Sequence, residues 1–183
     1  MILTFVSHNK EFLYEPRGFN SVEEMNEAIV ERWNSVVKSE DRVLCLGDIM
    51  LNDNETAIQY FKRLNGEIFV IWGNHDSDAR KNLLAQEPNF RGGWYAYQFR
   101  YKKYSIYLSH YPTLTVNVDD GKYFSQHVLN FHGHVHSKEK FLDPSNPFMY
   151  NVCLDAHDCY PVHINDAIND MKEQYFKRSN NEY

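Results

Sequence analysis

Residues able to hold a metal ion or move a proton recur in four short clusters, each placed where an apolar run ends. They are Gly47-Asp48, Gly73-Asn74-His75-Asp76, Ser109-His110-Tyr111-Pro112 and His132-Gly133-His134-Val135-His136. In an extended segment residues i and i+2 point to the same face, so His134 and His136 can address one small volume. Imidazole suits zinc, manganese, iron and nickel. A lone histidine is ordinarily a satisfied core or loop residue, but His75, His110, His134 and His136 at the ends of successive strands point to a shared site. His132 has the same parity without a motif of its own and reads as structural or supporting. Asp48 follows a glycine that lets the backbone approach a ligand closely, and a carboxylate there can bridge two cations; its plain alternative is a turn aspartate. Asn74 adds a neutral amide oxygen.

The clusters need elements to position them, and the pattern supplies alternating strands and helices. Ile2 to Ser7 reads as a buried strand. Ser21 to Val37 reads as a helix, with Ser21 as N-cap, Glu24 in capping-box position, and Met25, Ile29, Trp33 and Val36 on its inner face. Arg42 to Leu46 is the next strand, and Glu55 to Leu64 a helix with Ile58, Phe61 and Leu64 on one side, stopped by Asn65-Gly66. Glu67 to Trp72 is a third strand, so this half predicts a parallel sheet with right-handed crossovers. Tyr95 to Phe99 and Tyr104 to Ser109 read as a hairpin, Leu129 to His132 and Met149 to Leu154 as further strands, giving a more antiparallel second half. A last helix is expected over about Asn165 to Lys177, with Ile168, Met171 and Tyr175 inward and a frayed tail beyond. Open α/β sheets bind ligands at strand carboxyl ends, where all four clusters fall.

The 183 residues, 43% hydrophobic and 24% charged, suit one folded domain spanning 1–183 with neither repeat nor linker. Lys plus Arg number 19 against 25 Asp plus Glu, a net charge of -6, which argues against an extended nucleic-acid footprint. Cys45, Cys153 and Cys159 cannot all pair within one chain and match no zinc-finger spacing, so a reducing, cytoplasmic location is expected. No run is long enough to span a bilayer, so no membrane partner is expected. The 13 Tyr and 12 Phe invite a base-stacking role at Trp94, Tyr95, Tyr97 or Tyr111 but read mainly as core packing in alternating strands; Tyr111-Pro112, beside His110, is the exception. Oligomeric state leaves no readable trace.

The clusters together resemble the calcineurin-like metallophosphoesterase superfamily, whose dispersed signature is Asp-x-His, Gly-Asp, Gly-Asn-His-Asp/Glu, a lone His, and Gly-x-His or Gly-His-x-His. The resemblance extends to Glu24-Met25-Asn26, Trp33-Asn34, Arg63-Leu64-Asn65-Gly66, Ser109-His110-Tyr111-Pro112 and Asn151-Val152 through His157, as in the small bacterial and phage branch. It implies an α/β fold: a β-sandwich of two mixed sheets flanked by helices, with a metal site at strand carboxyl ends. It assigns Asp48, Asn74, His110, His134 and His136 to metal, with Asp48 bridging. It gives His75 the stabilisation or protonation of the leaving oxygen, and Asp76 the orientation of that imidazole. The implied activity is hydrolysis of a phosphomonoester or phosphodiester by in-line attack of a metal-activated water, on a small phosphorylated substrate such as a nucleotide.

The family's first motif, Asp-x-His, is missing: the first strand runs into Ser7-His8-Asn9-Lys10. Either His8 and Lys10 fall in its place, or about five residues are deleted and His8 matches a later family histidine. His8 is thus a replacement ligand candidate, and Lys10 could hold phosphate as a point charge. The expectation is one firmly bound divalent transition metal (Mn, Fe, Zn or Ni) with a second, weaker ion, and reduced activity. The alternatives are a catalytically impaired relative that binds a phosphorylated ligand or protein partner, and an unrelated metallohydrolase or structural zinc domain.

Overall fold

A computed structural model describes residues 2–4, 14–49, 53–115 and 123–181. In chain order the elements are β1 (Ile2–Thr4), α1 (Val22–Val36), β2 (Arg42–Cys45), α2 (Asn54–Phe61), β3 (Glu67–Ile71), α3 (Asp78–Leu84), β4 (Phe90–Trp94), β5 (Ala96–Tyr101), β6 (Tyr104–Ser109), β7 (Val128–His132), β8 (Met149–Asn151), β9 (Val162–His163) and α4 (Ile164–Asn181). One sheet has the order β4-β3-β2-β1-β9 and the other β5-β6-β7-β8. Strands β1 to β4 are parallel and β9 runs against β1. In the second sheet β5 and β6 are antiparallel, while β6, β7 and β8 are parallel. Both sheets are therefore mixed, and helices flank them, the architecture the sequence implied.

Side-chain alternation divides the interior into two cores. Val43, Cys45, Ile68 and Val70 pack with Met25, Ile29 and Trp33 of α1, Ile58 and Phe61 of α2, and Leu84 of α3. Their neighbours Leu44, Leu46 and Ile71 pack instead with Ile106, Leu108, Leu129, Phe131 and Tyr150 of the second sheet and with Ile164, Ile168 and Met171 of α4. A sheet covered on both faces explains why β2 and β3 are almost continuously apolar. Among the described residues no helix is long and apolar enough to cross a membrane.

Helix α1 starts where its cap dictates. The Ser21 hydroxyl accepts from the Glu24 N–H at 3.1 Å, and the Glu24 carboxylate accepts from the Asn20 N–H at 2.8 Å. Its other end departs from the periodicity: Val36 is 45% exposed and Val37 only 1%. Helical geometry stops at Val36, and Val37, with extended backbone, turns inward in its place.

Helix α3 and strand β4 have no counterpart in the sequence reading. The helix spans seven residues, too few for periodicity to emerge. In β4 the pair Gly92-Gly93 disguises the strand, yet Gly93 is demanded by packing, because a Cβ there would collide with the Trp72 indole. The second half is less antiparallel than expected, since β6, β7 and β8 are joined by crossovers rather than hairpins. The Trp94, Tyr97 and Phe99 rings stack in a row, with centroids 4.8 and 5.6 Å apart; Phe99 packs against the second core, whereas Trp94, Tyr97 and Tyr95 are exposed. The final helix continues to Asn181 rather than fraying near Lys177.

Trp33 is the largest side chain of the first core, and its indole N–H donates to the Asn65 carbonyl at 2.9 Å. Trp33→Ala should therefore lose about 3–5 kcal/mol of unfolding free energy. Trp33→Phe, which keeps most of the volume and gives up the bond to exposed Asn65, should lose about 0.5–1.5 kcal/mol. Urea titration followed by circular dichroism measures both.

Candidate metal centre

Two turns, after β2 and after β3, build the floor of the site, and one buried carboxylate ties them together. Asp76 accepts from the main-chain N–H of Gly73 at 2.8 Å, of Asp48 at 2.8 Å and of Ile49 at 3.3 Å. Burial pushes its pKa up while these N–H groups pull it down, and burial prevails. Asp48 itself adopts a left-handed backbone, φ 50°, a conformation that costs a non-glycine residue energy and persists only where neighbours enforce it. The approach is close enough to require glycines. A Cβ on Gly47 would lie 2.6 Å from His110 Nδ1 and 2.7 Å from Gly73 N, and one on Gly73 would collide with the Asp48 carboxylate.

The third wall is the turn after β6. Buried Asn130 donates to Ser109 Oγ at 2.9 Å and accepts from the Thr113 N–H at 3.3 Å, while Ser109 Oγ donates to the Tyr111 carbonyl at 2.8 Å. This network fixes the path of His110 and Tyr111. The Gly133 N–H donates to the His110 carbonyl at 3.0 Å, joining the fourth turn to the third.

His110 is buried and its Nδ1 lies 2.8 Å from the Leu46 carbonyl. A carbonyl can only accept, so Nδ1 carries the hydrogen, and in the neutral ring Nε2 carries the lone pair. Nε2 faces Asn74 Oδ1 at 3.0 Å, His134 Nδ1 at 3.1 Å and Asp48 Oδ2 at 3.3 Å. Two of those three are oxygens that donate nothing. These groups converge on a point that a hydrogen from His134 Nδ1, a proton on His110 Nε2 or a metal ion can satisfy. The ligand atoms of Asp48, His110 and His134 all lie within 4.8 Å of one another, and Asn74 adds an oxygen beside them. A mixed nitrogen and oxygen donor set of this kind fits a divalent transition metal.

The electrostatics agree with that geometry. Burial would raise the Asp48 pKa, but the His110 ring and the His75 N–H, 2.8 Å from Asp48 Oδ1, bring it below the usual carboxylate value. Burial opposes a charge on His110, yet the Asp48 carboxylate and the Leu46 carbonyl outweigh it and raise that pKa. His134 moves down, through burial and the nearby His110. Of the two rings His110 is the one whose surroundings favour a proton, and a metal ion bound there would displace it.

The other expected residues fall outside this group. His75 is exposed on the turn beside it; its carbonyl accepts from Arg80 Nη1 at 2.6 Å. Asp76, expected to orient the His75 imidazole, directs its carboxylate to main-chain N–H groups instead. His134 and His136 do not share an extended segment: both have left-handed backbone, φ 72° and 46°, so the alternation that put them on one face does not operate. His134 turns to the cluster, whereas His136 Nδ1 lies 3.4 Å from Asp155 Oδ2. His132 is fully buried with Nε2 unpartnered among the described residues, and burial lowers its pKa to about 4, so it stays neutral. His8 and Lys10 lie outside the described residues.

Asp155 and Arg17 escape a reading of the sequence. Asp155 sits within the segment Asn151 to His157 that carries part of the resemblance, but nothing in its spacing separates it from a turn aspartate. Arg17 lies 138 positions away and announces no pairing.

A family model for calcineurin-like phosphoesterases matches residues 8–178. The uncharacterized protein MJ1445 of Methanocaldococcus jannaschii is 30% identical over 172 residues, spanning 88% of this chain and 83% of its own. Among solved structures, the protein of unknown function AQ665 from Aquifex aeolicus superposes with a TM-score of 0.67 at 21% identity, over 92% of this chain and 97% of its own, a likeness of fold. An archaeal phosphodiesterase aligns more loosely, with a TM-score of 0.41 at 17% identity over 84% of this chain and 82% of its own. With a family match across nearly its whole length, the chain belongs to the calcineurin-like phosphoesterases.

Proposed function

We propose that this protein is a metal-dependent phosphoesterase acting on a phosphomonoester or phosphodiester of a small molecule, nucleotides included. The observation that carries this reading is the convergence of Asp48 Oδ2, Asn74 Oδ1, His110 Nε2 and His134 Nδ1 at the carboxyl ends of the strands. A divalent cation held there supplies Lewis-acid stabilisation of the phosphoryl oxygens and a nucleophile available at neutral pH.

The protein's own residues do the rest. Asp48 keeps its negative charge across the physiological range because its partners hold its pKa down. His110 keeps Nε2 directed inward through its bond to Leu46. His75 is exposed beside the cluster, with its N–H tied to Asp48 and its carbonyl to Arg80, so its ring can meet a substrate and give a proton to the leaving oxygen. Tyr111, half exposed, packs edge-on against His110 and His134, with ring centroids 4.9 and 4.7 Å away, and narrows the approach to both.

A second reading, an impaired relative that binds a phosphorylated ligand without turning it over, draws support from His136 standing with Asp155 outside the cluster. Hydrolysis of chromogenic monoesters and diesters separates the two. Manganese-dependent turnover that chelator abolishes and Asp48→Asn removes is the expected result. His75→Ala should retain metal and lose about 10²–10⁴-fold in kcat. Folded, metal-loaded wild type no faster than Asp48→Asn would overturn the enzyme reading.

Proton and metal compete for one position, which sets the pH dependence. The His110 pKa is raised in the fold, so below that value the proton is bound and must be displaced, and above it the lone pair is available. Manganese affinity should rise as pH increases through the His110 value, by about tenfold per unit below it. Calorimetric titrations in buffers of different ionisation enthalpy should show proton release on binding that disappears at high pH.

A further inference from the structure

The turn between β5 and β6 and the first turns of α4 enclose a groove of about 400 Å³ that the mechanism above leaves unused. Its walls include Lys102, Lys103, Tyr104, Asn165, Ile168 and Lys172. Three ammonium groups thus share one small volume in a chain whose net charge is -6. None of the three has a carboxylate partner among the described residues. The helix separates its charges in a way that permits this. Asn165, Ile168, Asn169 and Lys172 recur at helical spacing and form one wall, whereas the carboxylates of the same stretch, Asp166, Asp170 and Glu173, fall on the neighbouring face. Asp170 is engaged there by Lys140 and the Tyr150 hydroxyl. Like charges gathered without a counter-charge repel one another, and a bound anion relieves that repulsion.

The cations are held in place by their surroundings. Lys103 Nζ and Lys172 Nζ lie over the Tyr104 ring, 5.7 and 5.1 Å from its centroid, and Lys102 Nζ lies over the Tyr101 ring at 5.2 Å. Asn165 Oδ1 accepts from the Tyr101 hydroxyl at 3.1 Å and from Lys102 Nζ at 3.0 Å. Lysine has only hydrogens to give, so the atom it meets is the oxygen, and the amide nitrogen adds two more donors to the wall. Lys102 also occupies a costly position. Tyr101 pairs with Tyr104, so Lys102 and Lys103 are the whole loop of a two-residue hairpin, and Lys102 holds φ 54° where such turns favour glycine or asparagine. Strain of this kind, kept by a lysine that faces a groove, points to use of its side chain. We propose that the groove is a binding site for a diphosphate group, free as pyrophosphate or carried by a nucleoside diphosphate. Three positive charges and the Asn165 amide match a group with several negative charges and only acceptor oxygens. A compact polyanion suits the groove better than an extended nucleic acid, since the chain as a whole is acidic. Strand β6 runs from Tyr104 at the groove to Ser109, just before His110, so about 20 Å separates this site from the metal cluster. It is a second site, independent of the metal-dependent reading above.

The test titrates the full chain, labelled with nitrogen-15, with sodium pyrophosphate and separately with ADP, in the presence of chelator so that no metal ion contributes. Both should bind saturably in one place, shifting the amide resonances of residues 102–104 and 165–172, and Asp48→Asn should bind them as the wild type does. Added sodium chloride should weaken the binding. The variant combining Lys102→Gly, Lys103→Gln and Lys172→Gln removes the charges and gives the left-handed turn position a residue that suits it. It should bind roughly 10–100-fold more weakly. If that variant does not fold, Lys103→Gln alone, at an exposed position, should weaken binding roughly twofold to fivefold. Equal affinities for the two probes would mean that the diphosphate group suffices, and tighter ADP would add a contact with the nucleoside; either result supports the site. The proposal is overturned by an absence of saturable binding, by shifts confined to the turns that carry Asp48 and His75, or by an affinity that the lysine substitutions leave unchanged. Binding of polyglutamate in place of both probes would also overturn it and make the groove a dock for an acidic peptide.

Discussion

Everything at this site depends on a carboxylate that never reaches the ligand position. Asp76 collects main-chain N–H groups from both turns, Gly73 on one side and Asp48 and Ile49 on the other. In doing so it makes one rigid piece of two loops that belong to different strands. A left-handed aspartate is unfavourable on its own, and the Asp76 bond to the Asp48 N–H is what holds it there. Because the resulting approach leaves no room for a Cβ at Gly47 or Gly73, the Gly-Asp and Gly-Asn-His-Asp patterns are two halves of one packing solution.

The second constraint is electrostatic. Asp48, Asn74 and His110 direct acceptors at one point, an arrangement that a hydrogen-bond donor or a cation among them relieves. The Asp48 carboxylate favours a proton on His110 against the cost of burial, raising its pKa. The cluster is assembled from protein groups alone, and a metal ion binding there would compete with a proton on His110. The Leu46 carbonyl anchors the His110 ring from behind and directs Nε2 at the cluster.

Much of this was legible in the sequence because it depends on local pattern. Strand and helix alternation, the Ser21 cap, and the four polar clusters at strand ends all follow from periodicity and residue type, and they locate Asp48, Asn74, His110 and His134 together. What was not legible depends on tertiary context. Strand β4 is hidden by Gly92-Gly93, whose second glycine answers to Trp72 rather than to strand propensity. Val37 takes the inward place given to Val36 because the helix ends one residue earlier than the apolar pattern. Residue type assigns Asp76 to an imidazole because carboxylates often serve that end, whereas its lone pairs go to amides that any sequence possesses.

The fate of His134 and His136 shows why spacing alone cannot distribute ligands. Two residues apart, they would share a face on a strand, but β7 ends at His132 and both follow in left-handed conformation. Each ring then goes where a partner awaits it: His134 to the Asp48 and His110 cluster, His136 to Asp155. Burial would raise the Asp155 carboxyl pKa, but its contacts with the His136 ring and with the buried Arg17 guanidinium bring it far below the usual range. A residue near one end of the chain thereby shapes the environment of a histidine near the other: His134 faces lone pairs that a donor or cation can satisfy, whereas His136 faces a carboxylate already paired with a buried guanidinium.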